Sequence, residues 1–98
     1  MYEYNFSGRV VWVTGSSTGI GRAAALAFAR FGADVVVHAN QSVAEGGEVA
    51  REIERMGRKA LLVTGDVADR EAVAEMAERI REAFGRVDVL MNNAGSLG

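Results

Sequence analysis

Thr14-Gly15-Ser16-Ser17-Thr18-Gly19-Ile20-Gly21 decides how the rest of this sequence is read. It follows an apolar, β-branched run at residues 10–14. It leads into an Ala-rich stretch, residues 20–31, that carries Leu26 and Phe28 and stops before Gly32. The first reads as a buried strand and the second as a helix. Between them the glycines fall as G-x-x-x-G-x-G. Gly15 can take the tight turn out of the strand. Gly19 lets the backbone approach a phosphate with no Cβ in the way, and Gly21 lets the helix pack close to the sheet. The helix start offers unpaired N–H groups and a partial positive charge to a pyrophosphate. Ser16, Ser17 and Thr18 can add hydroxyl donors. A glycine-rich βα turn without a ligand fits the same spacing. No Lys follows the glycines, which excludes a P-loop.

Outward from that turn the elements alternate. Residues 35–39 read as a second strand. Ser42 and Glu45 form a capping-box pair, with Val49, Ile53 and Met56 at helical spacing up to Gly57. Gly46 and Gly47 weaken that helix's first turns by roughly 1 kcal/mol each relative to Ala. Residues 60–64 read as a third strand. Asp69 can cap a helix whose apolar stripe is Val73, Met76, Ala77, Ile80 and Phe84, ended by Gly85. Residues 87–91 read as a fourth strand and 92–98 as a loop. The pattern β-α-β-α-β-α-β predicts an α/β fold of parallel strands with right-handed crossovers. The pattern alone does not fix the strand order; one Rossmann half would give 3-2-1-4, so the expected architecture is a partial Rossmann fold over residues 1–98, four parallel strands in that order with three helices on two faces. That order makes the fourth strand a sheet edge, with Val87, Val89, Leu90 and Met91 offering apolar surface. It predicts pairing with a second chain or with a missing C-terminal half. Trp12 is bulky for a central strand packed on both faces.

Composition narrows the function. The chain has 98 residues, which limits it to one domain, and 49% apolar against 24% charged residues is a globular balance. A net charge of −2 argues against a nucleic-acid binder that works by neutralising phosphates. The absence of cysteine removes disulfides, thiolate metal sites and a Cys nucleophile. The longest apolar run, residues 23–29, is far too short to cross a membrane. The first eight residues carry Glu3 and no basic cluster, unlike a signal peptide. A soluble, cytoplasmic protein is expected.

Ligands of such a sheet bind at the carboxyl ends of the strands. Asp34 lies roughly 20 residues past the glycines, where an acidic residue would hold the ribose hydroxyls. It opens the second strand, however, which puts it at the opposite edge, roughly 16 Å away. The residues at the correct end are His38, Ala39, Asn40, Gln41 and Ser42, and none is a carboxylate. Nothing there repels a 2′-phosphate, so NADP is preferred to NAD, with Arg22 close enough to help. His38, the only histidine, reads as a half-buried strand-end side chain rather than a catalytic one. Asp66, after the third strand, can accept from an adenine amino group; a loop aspartate or local cap fits equally. Asn92 and Asn93 can bond backbone across neighbouring strand ends, and Ala94 and Gly95 keep the surface low enough for a flat ring. A plain Asn-Gly-type turn is the alternative.

Together these residues resemble the short-chain dehydrogenase/reductase family, and within it the members called classical. Residues 14–21 match its T-G-x-x-x-G-I-G motif, Asp66-Val67 its adenine-side D-V pair, and residues 92–95 its N-N-A-G motif. The resemblance implies that Ser16, Gly19 and Ile20 contact the pyrophosphate side and that Asp66 and Val67 hold adenine. It implies that Asn93, Ala94 and Gly95 lie along the ribose and nicotinamide. It also implies a catalytic Ser and a Tyr-x-x-x-Lys pair that lie beyond residue 98 in the family. No substitute stands in this sequence. Tyr2 and Tyr4 precede the first strand, Lys59 opens the third strand at the wrong edge with Arg55 four residues before it, and Ser96 reads as a turn serine. The expectation is the cofactor-binding half of an oxidoreductase that moves hydride between NADP(H) or NAD(H) and an alcohol or carbonyl, inert by itself. A stand-alone nucleotide-binding or interaction module is the alternative. A methyltransferase-like fold for S-adenosylmethionine fits less well. It wants an acidic residue after the second strand, and the Asn-Asn-Ala-Gly loop does not suit it. The substrate is not encoded here.

Overall fold

Val10, Val11 and Val13, with Val35, Val36 and Val37 beside them, build the centre of the sheet. Their branched side chains suit a pleated surface covered on both sides. The computed structural model describes residues 5–93. Within them run β1 (Val10–Val13), α1 (Gly19–Arg30), β2 (Asp34–Ala39), α2 (Val43–Arg55), β3 (Ala60–Thr64), α3 (Arg70–Phe84) and β4 (Val89–Met91). The strands are all parallel, in the order β3-β2-β1-β4. The expected α/β architecture and strand order are therefore present.

The period-2 alternation of strand side chains assigns the helices to two faces. Val11, Val13, Val35 and Val37 pack with Ala25, Leu26 and Ala29 of α1 and with Val49 and Ile53 of α2. Val10, Val36 and Val63 pack with Met76 and Ile80 of α3, joined by Trp12 and Leu61. Truncating a fully buried residue such as Ile53 to Ala in a core this close-packed costs about 2–5 kcal/mol. Ahead of β1, Phe6 meets Phe28 edge-on at 5.3 Å between ring centroids, and its N–H donates to Phe31 O at 2.7 Å.

Some local expectations change. Helix α1 begins at Gly19, one residue early, and β4 begins at Val89 rather than residue 87. Ser42 is the N-cap of α2, but its side chain makes no cap hydrogen bond. Its hydroxyl is bonded instead to the Ser17 hydroxyl, so a tertiary partner replaces the local capping box. Asp69 does cap α3, accepting from Glu71 N at 2.9 Å and Ala72 N at 3.4 Å. Gly46 has a packing reason. A Cβ there would stand 2.9 Å from Leu62 Cδ1 and 3.2 Å from Ala39 Cβ, so its absence lets α2 lie close on the sheet. Trp12 stands in register with Val36 and Leu90, and its indole Nε1 is buried without a hydrogen-bond partner among the described residues. Leu90, on the outer strand β4, is 57% exposed. Among the described residues no helix is long and apolar enough to cross a membrane.

Candidate functional site

The glycine turn is built before it is available to anything else. Gly15 and Gly19 both adopt left-handed backbone, with φ of 64° and 60°, which a side chain would strain. Ser16 is fully buried, and its hydroxyl donates to Val13 O at 2.7 Å and accepts from His38 N at 2.8 Å. Ser16 N in turn donates to His38 O at 3.0 Å, so the turn is laced to the end of β2. Thr18 is the extended N-cap of α1; its side chain makes no cap hydrogen bond, and no acidic residue stands in the first turn. The first intrahelical bond runs from Arg22 N to Thr18 O at 3.2 Å. The amides of residues 19–21 come before it and have no helical acceptor, and the positive end of the helix dipole lies with them. A Cβ on Gly21 would collide with Gly15 O and stand 2.8 Å from Asn93 Nδ2. The close approach that Gly21 permits is thus to the turn and the β4 end rather than to a strand.

The other strand ends lean onto this turn. Thr14 Oγ1 donates to Asn92 Oδ1 at 3.0 Å and accepts from Asn93 N at 2.9 Å, while Asn93 Nδ2 donates to Gly15 O at 3.3 Å. His38 is 2% exposed, with Gly15 N donating to its Nδ1 at 2.8 Å and its Nε2 2.7 Å from Gly65 O. Asp66 Oδ1 accepts from Ala68 N at 2.9 Å, the local turn that the sequence allowed for.

Between these ends lies a cleft of about 560 Å³, lined by Gly15, Ser17, Thr18, His38, Asn40, Gln41, Ser42, Asp66, Val67 and Ala68. Seven of the residues singled out in the sequence therefore share one surface: Gly15, Ser17, Thr18, Asn40, Gln41, Asp66 and Val67. Gly19 lines an adjoining hollow with Ser17, Thr18, Arg22, Glu45 and Glu48. Arg22 Nη2 donates there to Glu52 Oε2 at 3.3 Å, so its charge already has a partner. Ile20 is 76% exposed at the head of α1. Ala39 is buried, and its carbonyl accepts from Gly65 N at 3.1 Å. Asn93 sits at the β4 end, bonded as above; Ala94 and Gly95 lie outside the described residues. Asp34 stands at the opposite edge, its Oδ1 accepting from Lys59 N at 2.9 Å. Two residues were not anticipated in their roles: His38, bonded on both ring nitrogens, and Ser42, held by Ser17. A lone histidine in an otherwise apolar strand was the available signal, since a buried imidazole requires partners.

Comparison with known proteins yields one family. A model described as short chain dehydrogenase matches residues 9–98. An L-rhamnose 1-dehydrogenase (NAD(P)(+)) of Sphingomonas sp. (strain SKA58) is 46% identical over 88 residues, which is 90% of this chain and 35% of that protein. An L-sorbose reductase from Gluconobacter frateurii, solved with NADPH and L-sorbose, superposes with a TM-score of 0.90 at 44% identity, covering 97% of this chain and 36% of that one. A short chain dehydrogenase from Burkholderia cenocepacia J2315, solved with NADP, gives 0.90 at 40% identity, covering 96% of this chain and 38% of that one. The chain thus spans little more than a third of each of these three proteins.

Proposed function

The chain belongs to the short-chain dehydrogenase family, and from that premise we propose that its single α/β half-domain seats NADP(H), with NAD(H) as the weaker ligand, for hydride exchange with an alcohol or carbonyl. The observation that carries this reading is the start of α1. Three amides precede the first helical bond, no side chain caps them, and they open beside a cleft that runs from Gly15 to Asp66. An anion suits such a position.

The residues divide by chemistry. The amides of Gly19, Ile20 and Gly21, with the Ser17 and Thr18 hydroxyls, face the pyrophosphate. Ser16 acts from inside, holding the turn, because its hydroxyl hydrogen is committed to Val13 O. Asn40 and Gln41, following the Ala39 backbone, take the adenosine ribose without a carboxylate to repel a 2′-phosphate. Asp66 and Val67 border adenine. Asn93, with Ala94 and Gly95, borders the nicotinamide side. When bound, the dinucleotide supplies or accepts the hydride. Lys59 stands at the opposite edge of the sheet, where its amide is held by Asp34, and takes no part in proton transfer at the cleft. The exposed edge at Leu90 supports self-association or cover by further chain, and a cytoplasmic setting belongs to the same reading.

Calorimetric titration of the chain with NADPH, NADH and S-adenosylmethionine tests it. NADPH is expected to bind most tightly. Tighter binding of NADH overturns the 2′-phosphate preference. Binding of S-adenosylmethionine with neither dinucleotide overturns the reading itself.

A further inference from the structure

His38 is a buried titratable side chain with no part in the cofactor contacts proposed above, and its surroundings fix its chemical form. A backbone N–H can only donate and a carbonyl can only accept. Gly15 N, 2.8 Å from Nδ1, therefore requires a lone pair on Nδ1. Gly65 O, 2.7 Å from Nε2, requires the proton on Nε2. The neutral Nε2–H imidazole satisfies both contacts and no other form does. These contacts join residues 23 and 27 positions away in the sequence, one in the turn after β1 and one in the turn after β3. The His38 backbone is bonded to Ser16 on both its N–H and its carbonyl, so the residue is tied to the turn through its main chain as well as through its ring.

We propose that His38 is a positioning residue: its neutral imidazole is a strut that sets the separation between the phosphate-facing turn and the adenine-side loop at Asp66-Val67. The assignment of those two loops to a dinucleotide rests on the function proposed above; the strut itself does not. The Gly15 amide is taken up by the ring and is not a phosphate donor. The anion is left to the amides of residues 19–21. Loss of the strut releases two loops at once, and the effect falls on dinucleotide affinity as well as on folding.

The test has two independent arms. His38 is the only histidine, so the imidazole nitrogens of the 15N-labelled chain give one unambiguous pair of signals at neutral pH. A pyridine-type Nδ1 and a pyrrole-type Nε2 are expected. An Nδ1–H tautomer, or an imidazolium with both nitrogens protonated, overturns the strut. The second arm measures NADPH dissociation constants for His38→Asn, which keeps an acceptor toward Gly15, His38→Gln, which keeps a donor toward Gly65, and His38→Leu, which keeps neither. Circular dichroism confirms that each variant is folded. Loss of roughly tenfold in affinity is expected for Leu, from one or two missing hydrogen bonds, with Asn and Gln between it and the parent. If Leu does not fold, Asn and Gln still decide: parent-like affinity in both overturns the role. A folded Leu variant with parent-like affinity also overturns it. A parent chain that binds neither NADPH nor NADH while keeping the expected tautomer overturns the cofactor reading alone.

Discussion

At the amino end of the sheet, carboxylates close the strands. Asp34 accepts from Lys59 N, and Asp88 Oδ2 accepts from Val10 N at 2.8 Å and from Arg86 Nε at 3.0 Å, while Arg86 also reaches Gly8 O. At the carboxyl end, the same task falls to neutral groups: the Thr14, Ser16, Ser17 and Ser42 hydroxyls, the His38 ring and the Asn92 and Asn93 amides. Of the two aspartates on that side, Asp66 accepts from an amide of its own loop and Asp69 from the first turn of α3. The contrast teaches how one scaffold keeps two kinds of ends. An ionised side chain is a strong acceptor and suits an end with nothing else to bind. Beside the uncapped start of α1 an additional carboxylate would compete for the amides and repel an anion. Internal neutral hydrogen bonds shape that end without neutralising it.

Five substitutions would break or sharpen this contrast. The largest effect is expected from Gly21→Ala, because the added methyl meets the backbone at Gly15 and the Asn93 amide. Destabilisation of about 3 kcal/mol is expected, at the upper end of overpacking effects, with loss of dinucleotide binding. A urea midpoint like the parent's would refute the packing argument. Next is Asp69→Ala, which removes the α3 cap at the carboxyl end and should cost about 1 kcal/mol in the same unfolding assay. A smaller pair of opposite sign is expected in α2. Gly46→Ala should destabilise, whereas Gly47→Ala, whose Cβ would meet only Arg51 Nη1 at an ordinary 3.5 Å, should stabilise by about 0.5–1 kcal/mol. Equal shifts in thermal midpoint for the two would show that α2 does not lie as close to the sheet as described.

The smallest effect at neutral pH is expected at the amino end. The Val10 amide first, and then Arg86, hold the Asp88 carboxyl below the usual aspartate range. The native state therefore binds fewer protons there than the unfolded chain. This contribution is fully present above the unfolded value of about 3.9 and is lost as pH falls through the lower native value. Asp88→Asn should lose this small contribution at neutral pH and converge on the parent in acid, flattening the acid limb in urea midpoints taken from about pH 5 down to about pH 2. An acid limb as steep as the parent's would remove Asp88 from the account.

Much of this was legible in the residues, for a physical reason. The βα turn, the α3 stripe and the parallel direction of the strands rest on short-range periodicity and on the handedness of parallel crossovers, which sequence carries directly; the order 3-2-1-4 rested instead on the pattern of one Rossmann half. Asp34 could be assigned to the amino end by counting along one strand. What was missed depends on contacts across the fold. Ser42 looked like half of a capping box, but Ser17, 25 residues earlier, holds its hydroxyl. His38 read as half-buried because neither Gly15 nor Gly65 identifies itself as its partner in sequence. Gly46 looked like a helix weakness until Leu62 and Ala39 were seen against it.

The hydrogen bonds from Thr14 to Asn92 and Asn93 bridge 78 and 79 residues. A ribosome delivers the glycine turn early and this support only after β4 has been made. Throughout that interval β1, destined for the middle, lacks one of its two flanking strands. The first motif to be synthesised is thus among the last to become rigid, and nascent chains halted before Asn92 should leave that turn open to proteases.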